Sequence, residues 1–397
     1  MRVIVSKCRP LLVRPSTEQS APADHIKVSS FDKPLAFSPF SSFHVFDRAI
    51  HEPAETIKSA LSRALDHFRL IAGRVVVGDD DGDLCIACTG EGVEFVAATA
   101  SCALVDVKLF DPPFAALLKD LAVEYPEASC RVADPLLLMQ VTEFSCGAFV
   151  LGPSVPPVTC ADQLLPDLPP LAAAIEQTIV GQLKPKDYAY LDITVPMSTI
   201  DRIKAELGNE LGAPCTVFEA VTAVMWQCRS RVIMPDDDPD NPAPLVFAAD
   251  ARRAVGAAEG YYSNCVTTQV IAPPPTIRKV VEGDIEDVVK LIRSSKEQIP
   301  ATFAGEGEEG VPLLPCVEDT LFGYSALFVT SWRNLGFEAT DFGGGTPARV
   351  MCHPGPESLP ACVACLPRRG KGGADVLSRF LKEEHGGAFL AELAKFT

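Results

Sequence analysis

Apolar residues in this chain are grouped in two ways: as short uninterrupted runs, and as single positions recurring every three or four residues. Runs bounded by turn-forming residues predict strands, and the recurring spacing predicts helices with one buried stripe. In the first half, Ser42-Phe43-His44-Val45-Phe46 is a strand candidate. Ile57, Leu61, Leu65 and Phe68 line one face of a helix over 54–69 that ends at Gly73. Val75-Val76-Val77 and Leu84-Cys85-Ile86-Ala87 flank Gly78-Asp79-Asp80-Asp81-Gly82, so a hairpin is expected, with Val93-Glu94-Phe95-Val96 continuing it as another strand. Residues 136–141 and 144–150 read as two buried strands broken at Thr142-Glu143.

The pattern then fails. Pro153, Pro156, Pro157, Pro166, Pro169 and Pro170 forbid a helix and suit an extended linker. A short helix (172–183) and a strand (190–195) follow. In the second half Ile200, Ile203 and Leu207 mark one helix, and Thr216-x-x-Glu219 is a capping box opening another, with Phe218, Val221 and Met225 inward. Leu245-Val246-Phe247 is a strand; Ile277, Val281, Ile285, Val288 and Ile292 define one long amphipathic helix. An acidic loop (305–310), a buried strand (326–329), strands around Val350 and Val363 and a final helix from about Ala374 complete the chain. Strands alternating with helices give an α/β protein in two lobes. The expected boundaries are 1–152 for the N-terminal lobe, 153–188 for the proline-rich crossover with its short helix, and 189–397 for the C-terminal lobe.

Composition narrows the function. No apolar run approaches the length of a membrane span, and Lys7 and Arg9-Pro10 stand where an export signal needs apolar residues. A net charge of −17 argues against a nucleic-acid partner. Of the 14 cysteines, the pairs Cys85-x-x-Cys88 and Cys362-x-x-Cys365 lie in strand-like runs without the turn that a zinc site needs, so they are read as core residues and no metal is expected. A reducing, cytoplasmic setting and a monomer are the expectation.

Two stretches carry candidate chemistry: Phe328-Val329-Thr330-Ser331-Trp332 and, after a short loop, Asp341-Phe342-Gly343-Gly344-Gly345. They are preceded in order by Leu70-Ile71-Ala72-Gly73-Arg74, by Gln140-Val141-Thr142-Glu143-Phe144-Ser145-Cys146-Gly147 and by Tyr261-Tyr262-Ser263-Asn264-Cys265, and followed by Leu366-Pro367-Arg368-Arg369-Gly370. Over nearly its whole length the chain resembles the plant BAHD acyl-CoA-dependent acyltransferases. The resemblance implies two chloramphenicol-acetyltransferase-like lobes with a tunnel at their interface. It also implies transfer of an acyl group from acyl-CoA, as co-substrate without a bound cofactor, to a hydroxyl or amine of a plant metabolite. Net negative charge does not exclude such a ligand, because local cations can hold its phosphates. By the same resemblance Thr330 and Trp332 line the tunnel at the thioester carbonyl, where the Trp332 indole N–H would donate to an oxyanion. Tyr262, Asn264 and Ser331 would contact substrate or CoA. Asp341, Gly343 and Gly345 form a structural turn, with Asp341 paired to Arg252 of Asp250-Ala251-Arg252-Arg253 and Arg253 as fallback. Gly344 stands where the family usually has Trp.

One feature of the family is missing. Its general base is the histidine of a His-x-x-x-Asp-Gly loop just after the strand matched here by residues 146–152. Aligning Asp162 with the motif aspartate puts Val158 at the histidine position and Gln163 at the glycine. In the alternative alignment, 153–170 is the family's linker before its Leu-Pro-Asp-Leu-Pro-Pro stretch (165–170), and the loop and its helix are deleted. The chain has 6 histidines, at 25, 44, 51, 67, 353 and 385. His44 precedes Asp47 by three residues and imitates the motif without matching it; it reads as a strand histidine. His67 sits beside the helix stripe, His51 and His353 lie in proline-flanked loops, and His385 before Gly386-Gly387 suits a helix C-terminus. Three readings follow: a family enzyme with impaired activity, a non-catalytic relative that still binds CoA esters or an acceptor, or an active enzyme using another base, such as water or His44.

Overall fold

The computed structural model describes residues 3–17, 24–78, 82–126, 129–156, 165–181, 187–211, 215–261, 263–304, 321, 323–352 and 359–396. The chain forms two compact units, one of residues 1–167, 257–265 and 336–353, the other of 168–256, 266–335 and 354–397. Boundaries at 152 and 188 therefore miss two late segments, 257–265 and 336–353, that fold into the first unit. Nothing local marks them. Their membership is decided by contacts with residues far earlier in the chain, Asp32 for Ser263 and Val45 for Arg349.

The first unit is built on a sheet of β1 (Val5–Lys7), β2 (Leu11–Val13), β4 (Phe40–Phe46), β7 (Val93–Ala100), β8 (Leu138–Phe144), β9 (Phe149–Val155) and β14 (Arg349–Cys352). The strand order is β1-β7-β8-β9-β4-β14, with β2 also on β7. β7 and β8 run parallel, and the other pairs are antiparallel. Helix α1 (Pro53–His67) opens with proline in its first turn, where a missing N–H does no harm, and buries Ile57 and Leu65 against the sheet. Phe68 is not on the stripe; it has left helical geometry and is 39% exposed.

The expected hairpin forms between β5 (Arg74–Val77) and β6 (Leu84–Ala87), although Asp79 to Asp81 lie outside the described residues. Its third strand is β3 (His25–Lys27), whereas Val93 begins β7 of the main sheet. The turn between β8 and β9 falls at Ser145 to Gly147, not at Thr142-Glu143. Thr142 stays in the strand because its hydroxyl has a buried partner, the Gln140 amide at 2.8 Å.

The second unit holds six strands in the order β10-β16-β15-β13-β11-β12. They are β10 (Ala189–Val195), β11 (Leu245–Asp250), β12 (Val266–Val270), β13 (Leu327–Ser331), β15 (Ala361–Cys365) and β16 (Ala374–Leu381). β11, β13 and β15 are parallel. Residues 374–381 are thus a strand where a helix was expected. Buried on both faces, the strand has no alternation to betray it. The last helix, α8 (Glu383–Ala394), begins only after it, so His385 lies in a first turn and not at a helix C-terminus.

One sheet face is covered by α3 (Met197–Leu211), α4 (Val217–Ile233), α5 (Ile277–Glu282), α6 (Ile285–Glu297) and α8 around the buried Trp226, with α7 (Ile299–Phe303) following α6. The other face carries α2 (Pro170–Gly181) over β12. The Thr216 capping box forms as expected: Glu219 N–H donates to Thr216 Oγ1 at 3.2 Å and Thr216 N–H to the Glu219 carboxylate at 2.9 Å. The long helix expected over 277–292 is two, interrupted at Gly283-Asp284. Gln227, buried on α4, turns its amide onto the interruption and donates to Val280 O at 3.0 Å and Gly283 O at 2.7 Å.

Gln227→Leu leaves the buried Val280 carbonyl without that donor, a loss of about 1–3 kcal/mol, and frees the half-buried Gly283 carbonyl to solvent. The expected result is a lower urea midpoint at unchanged slope, since slope follows exposed surface and not this contact. An unchanged midpoint would contradict the role assigned to Gln227.

Candidate active site

The family's histidine loop would follow β9, and the local geometry there is set by proline and glycine. β9 pairs with β8 without interruption from Glu143–Phe149 to Leu138–Ser154. On its other side, rungs join Phe40–Ser41 to Val155–Ser154 and His44–Phe46 to Leu151–Phe149, skipping the two opposite Pro153 and Gly152. Proline has no N–H for a ladder, which accounts for the skip. Gly152 lies so close to the Leu121 carbonyl that a Cβ would strike it. The strand continues to Val155, five residues past the end expected at Val150, and includes Pro153, the first proline of the expected linker. Val158, Asp162 and Gln163 lie outside the described residues. In the sequence, no histidine stands between His67 and His353.

His44 is the candidate substitute. It sits in the middle of β4, 5% exposed, with Phe337 edge-on at a centroid distance of 4.8 Å. Its Nε2 lies 3.2 Å from Ser42 Oγ, and its Nδ1 has no hydrogen-bond partner. Burial pushes the imidazole down to about 4, so it is neutral at physiological pH and a weak base. The reading as a strand histidine holds. His385 instead bridges Tyr324 OH at 2.8 Å and Asp236 at 2.9 Å, in the second unit. His51 is a surface side chain.

Thr330, Ser331 and Trp332 stand at the C-terminal end of β13, between two parallel neighbours. Trp332 N–H donates to Ala364 O at 2.8 Å, so β15 fixes the direction in which the chain leaves the sheet. Arg333 locks the exit by donating to Gly373 O at 2.7 Å, and its own N–H reaches Ser331 Oγ at 3.4 Å. Successive strand residues face opposite sides. Val329 joins the helix-covered core and Phe328 the core under α2, which puts Thr330 on the α2 face and Ser331 on the other. The three residues do not share one surface.

The remaining positions are structural in the first unit. Asn264 donates to Phe31 O at 3.1 Å, and Ser263 donates to the fully buried Asp32 at 2.9 Å, which also accepts from Ser29 at 2.6 Å. Asn264 thus braces residues 29–32, an anchor the sequence did not suggest. Tyr262 lies outside the described residues. Asp341 is exposed. One of its oxygens accepts from Gly343 N–H at 2.7 Å and Gly345 N–H at 2.9 Å, while Arg252 meets Asp250 at 3.1 Å. Two backbone donors within the turn satisfy the carboxylate, and solvent screens the rest. Gly343 and Gly345 adopt φ of 97° and 101°, which L side chains rarely tolerate. At Gly344 a Cβ would come within 2.7 Å of Ile50 Cγ2, so the turn is packed tight, and Phe342 beside it meets Phe46 and Phe149 edge-on.

Comparison with known proteins agrees with this arrangement. The pattern of the Transferase family matches residues 4–161 and 184–389, with a break between them. The chain is 36% identical to Acyl transferase 15 of rice (Oryza sativa subsp. japonica), covering 100% of this chain and 99% of that protein. That alignment runs over 439 positions for 397 residues, so the rice protein has sequence that this chain lacks. It is 28% identical, end to end in both, to a myricetin 3-O-glucosyl 1,2-rhamnoside 6'-O-caffeoyltransferase from Crocosmia x crocosmiiflora. Among solved structures, vinorine synthase superposes with a TM-score of 0.69 at 20% identity over 99% of this chain and 98% of that one. F. sporotrichioides TRI101, solved with coenzyme A and T-2, gives 0.68 at 16% identity over 94% and 98%.

His44 makes folding pH-dependent. Its folded value lies below its unfolded value of 6.5, so the unfolded chain takes up a proton first and stability falls as pH drops from about 6.5 through about 4. The full loss is about 3 kcal/mol at 1.36 kcal/mol per unit. Urea midpoints between pH 7 and pH 4 are expected to fall more steeply in the native chain than in His44→Gln. Parallel curves would contradict it.

Proposed function

We propose, from the premise that this chain belongs to the Transferase family and within it to the plant BAHD acyltransferases, that it binds an acyl-CoA and a hydroxyl- or amine-bearing metabolite and transfers the acyl group between them slowly. It does so without a resident cofactor, as a cytoplasmic monomer. The observation that carries this reading is the contrast between two strand ends. β13 delivers Thr330 and Trp332 on a rigid, cross-braced exit, whereas β9 runs through Pro153 to Val155, and no histidine stands in the 285 sequence positions between His67 and His353.

Acyl transfer from a thioester needs the reacting atoms held within about 3 Å, donors for the developing oxyanion, and a base for the acceptor's proton. Thr330 and Trp332 would supply the donors. Loss of the histidine removes the base, and loss of a general base slows such reactions about 10²–10⁴-fold. The alignment with the rice relative, 439 positions for 397 residues, is compatible with a shortened segment in this chain. No helix among the described residues is long and apolar enough to cross a membrane. A second reading, a relative that binds the thioester without turning it over, has the same histidine absence behind it.

Thermal denaturation with acetyl-CoA and a long-chain acyl-CoA tests the reading. At 100 times Kd the stabilisation is about 2.7 kcal/mol, which raises the melting temperature by a few degrees in a chain of this size. Ester produced together with that shift is the expected result. A shift without ester favours the binding protein. No shift with any acyl-CoA would overturn both.

A further inference from the structure

The second unit contains a carboxyl group that neither its packing nor the family pattern requires. Glu176, in the middle of α2, is 6% exposed, and α2 lays it on the sheet face that carries Thr330. Thr268 Oγ1 of β12 donates to Glu176 Oε1 at 3.1 Å, and Oε2 has no hydrogen-bond partner. The sheet register runs from this contact toward Thr330. Thr268 pairs with Ala248 of β11, and continuing the β11–β13 ladder one residue beyond Phe247–Val329 brings Thr330 onto the same rung. The row therefore reads Thr268, Ala248, Thr330, with the smallest side chain in the middle. All three are partly exposed. The neighbouring rung of Val246 and Phe328 is closed, packed with Ile175, Leu321 and Leu359.

Two strand spacings separate the threonines, about 10 Å. With Glu176 held against the Thr268 end of this row, the space over Ala248 is where an acceptor hydroxyl would meet the carboxylate and a thioester carbonyl would meet the Thr330 hydroxyl, each at about 3 Å. We propose that Glu176 is the general base of this chain, taking over the proton transfer from the absent histidine. This rests on the reading that the chain binds an acyl-CoA. The acceptor oxygen forms its bond to the thioester carbonyl carbon as its proton passes to the Glu176 carboxylate. The tetrahedral oxyanion then collapses, the carbon–sulfur bond breaks, and Glu176 returns the proton to the CoA sulfur. The ester and the thiol leave, and the carboxylate is restored.

The protonation state suits that work. Burial pushes the Glu176 carboxyl up to about 7, with the Thr268 hydrogen bonds pulling the other way. On this face of β12, β11 and β13 the ionisable residue is Asp250, an exposed side chain two positions beyond Ala248 that pairs with Arg252. A carboxyl poised there is a far stronger base than an exposed glutamate.

The test is the pH dependence of CoA release from acetyl-CoA with a primary alcohol, on the full chain between pH 6 and pH 9. In the native chain kcat is expected to rise with pH through a single ionisation and level off. Glu176→Gln is expected to lose about 10²-fold or more in kcat and to lose the rise, with the acetyl-CoA melting shift intact. Glu176→Asp should recover part of the rate, and Thr268→Val, by deleting the bond that stabilises the carboxylate, should move the rise to higher pH without unfolding the site. His51→Ala and His44→Gln should keep the native profile. Native kcat and pH profile in Glu176→Gln would overturn the proposal, as would loss of the rise in His44→Gln. A native chain that shows the melting shift but no turnover at any pH would overturn the role of Glu176 and leave the binding reading standing. Absence of the shift would sink that reading itself.

Discussion

A proline has no N–H to give, and Pro153 stands inside the strand after which this family places its base. The strand keeps its place because its β8 side is fully laddered, while its β4 side tolerates two missing rungs. Gly152 then presses against the Leu121 carbonyl, leaving no room for even a methyl group. The first unit is therefore closed and well paired around β9, with Phe46, Phe149 and Phe342 packed across it. The pairing that holds β9 lies within Phe40–Val155, so the strand is secured without any residue that follows it.

Two buried ionisable groups, one in each unit, act on stability in opposite directions. His44 is held neutral by burial, and its contribution is lost as pH falls toward 4. Glu176 is also held neutral, but as an acid. Its folded value lies above its unfolded one, so its contribution is complete below about 4.5 and fades as pH rises through about 7. The same physical cause, desolvation, thus yields slopes of opposite sign across one pH window. A chain retaining both is expected to be flatter in its pH dependence than a chain with either one neutralised. The difference between them is solvent access nearby: His44 faces Phe337, whereas the row beside Glu176 is partly open.

Local rules made much of this legible. The Thr216 capping box, the α1 stripe at Ile57 and Leu65, and the strand ending in Thr330-Ser331-Trp332 all form as their spacing predicts. The errors lie where distant contacts decide. Residues 336–353 fold with the first unit because β14 finds β4, and β16 is a strand because both its faces are covered. Gly283 divides a helix whose apolar spacing runs straight through it, and only the Gln227 amide reveals why the break is tolerated. At the site, Asp341 finds two N–H groups inside its own turn, a local bond that its spacing from Gly343 and Gly345 allows. Glu176 was invisible for a different reason. A glutamate on an amphipathic helix reads as solvated, and only the packing of α2 over Thr268 makes it a buried base.

The central claim is that this scaffold can still carry acyl transfer and lacks only its proper base. Inserting a His-x-x-x-Asp-Gly loop and helix of the kind the family resemblance implies between Val155 and Pro166 tests it most directly. The account predicts that kcat for CoA release rises by about 10²–10⁴-fold and that a copy of the insert with its histidine changed to alanine gains nothing. Equal rates for the native chain and both inserts would contradict it.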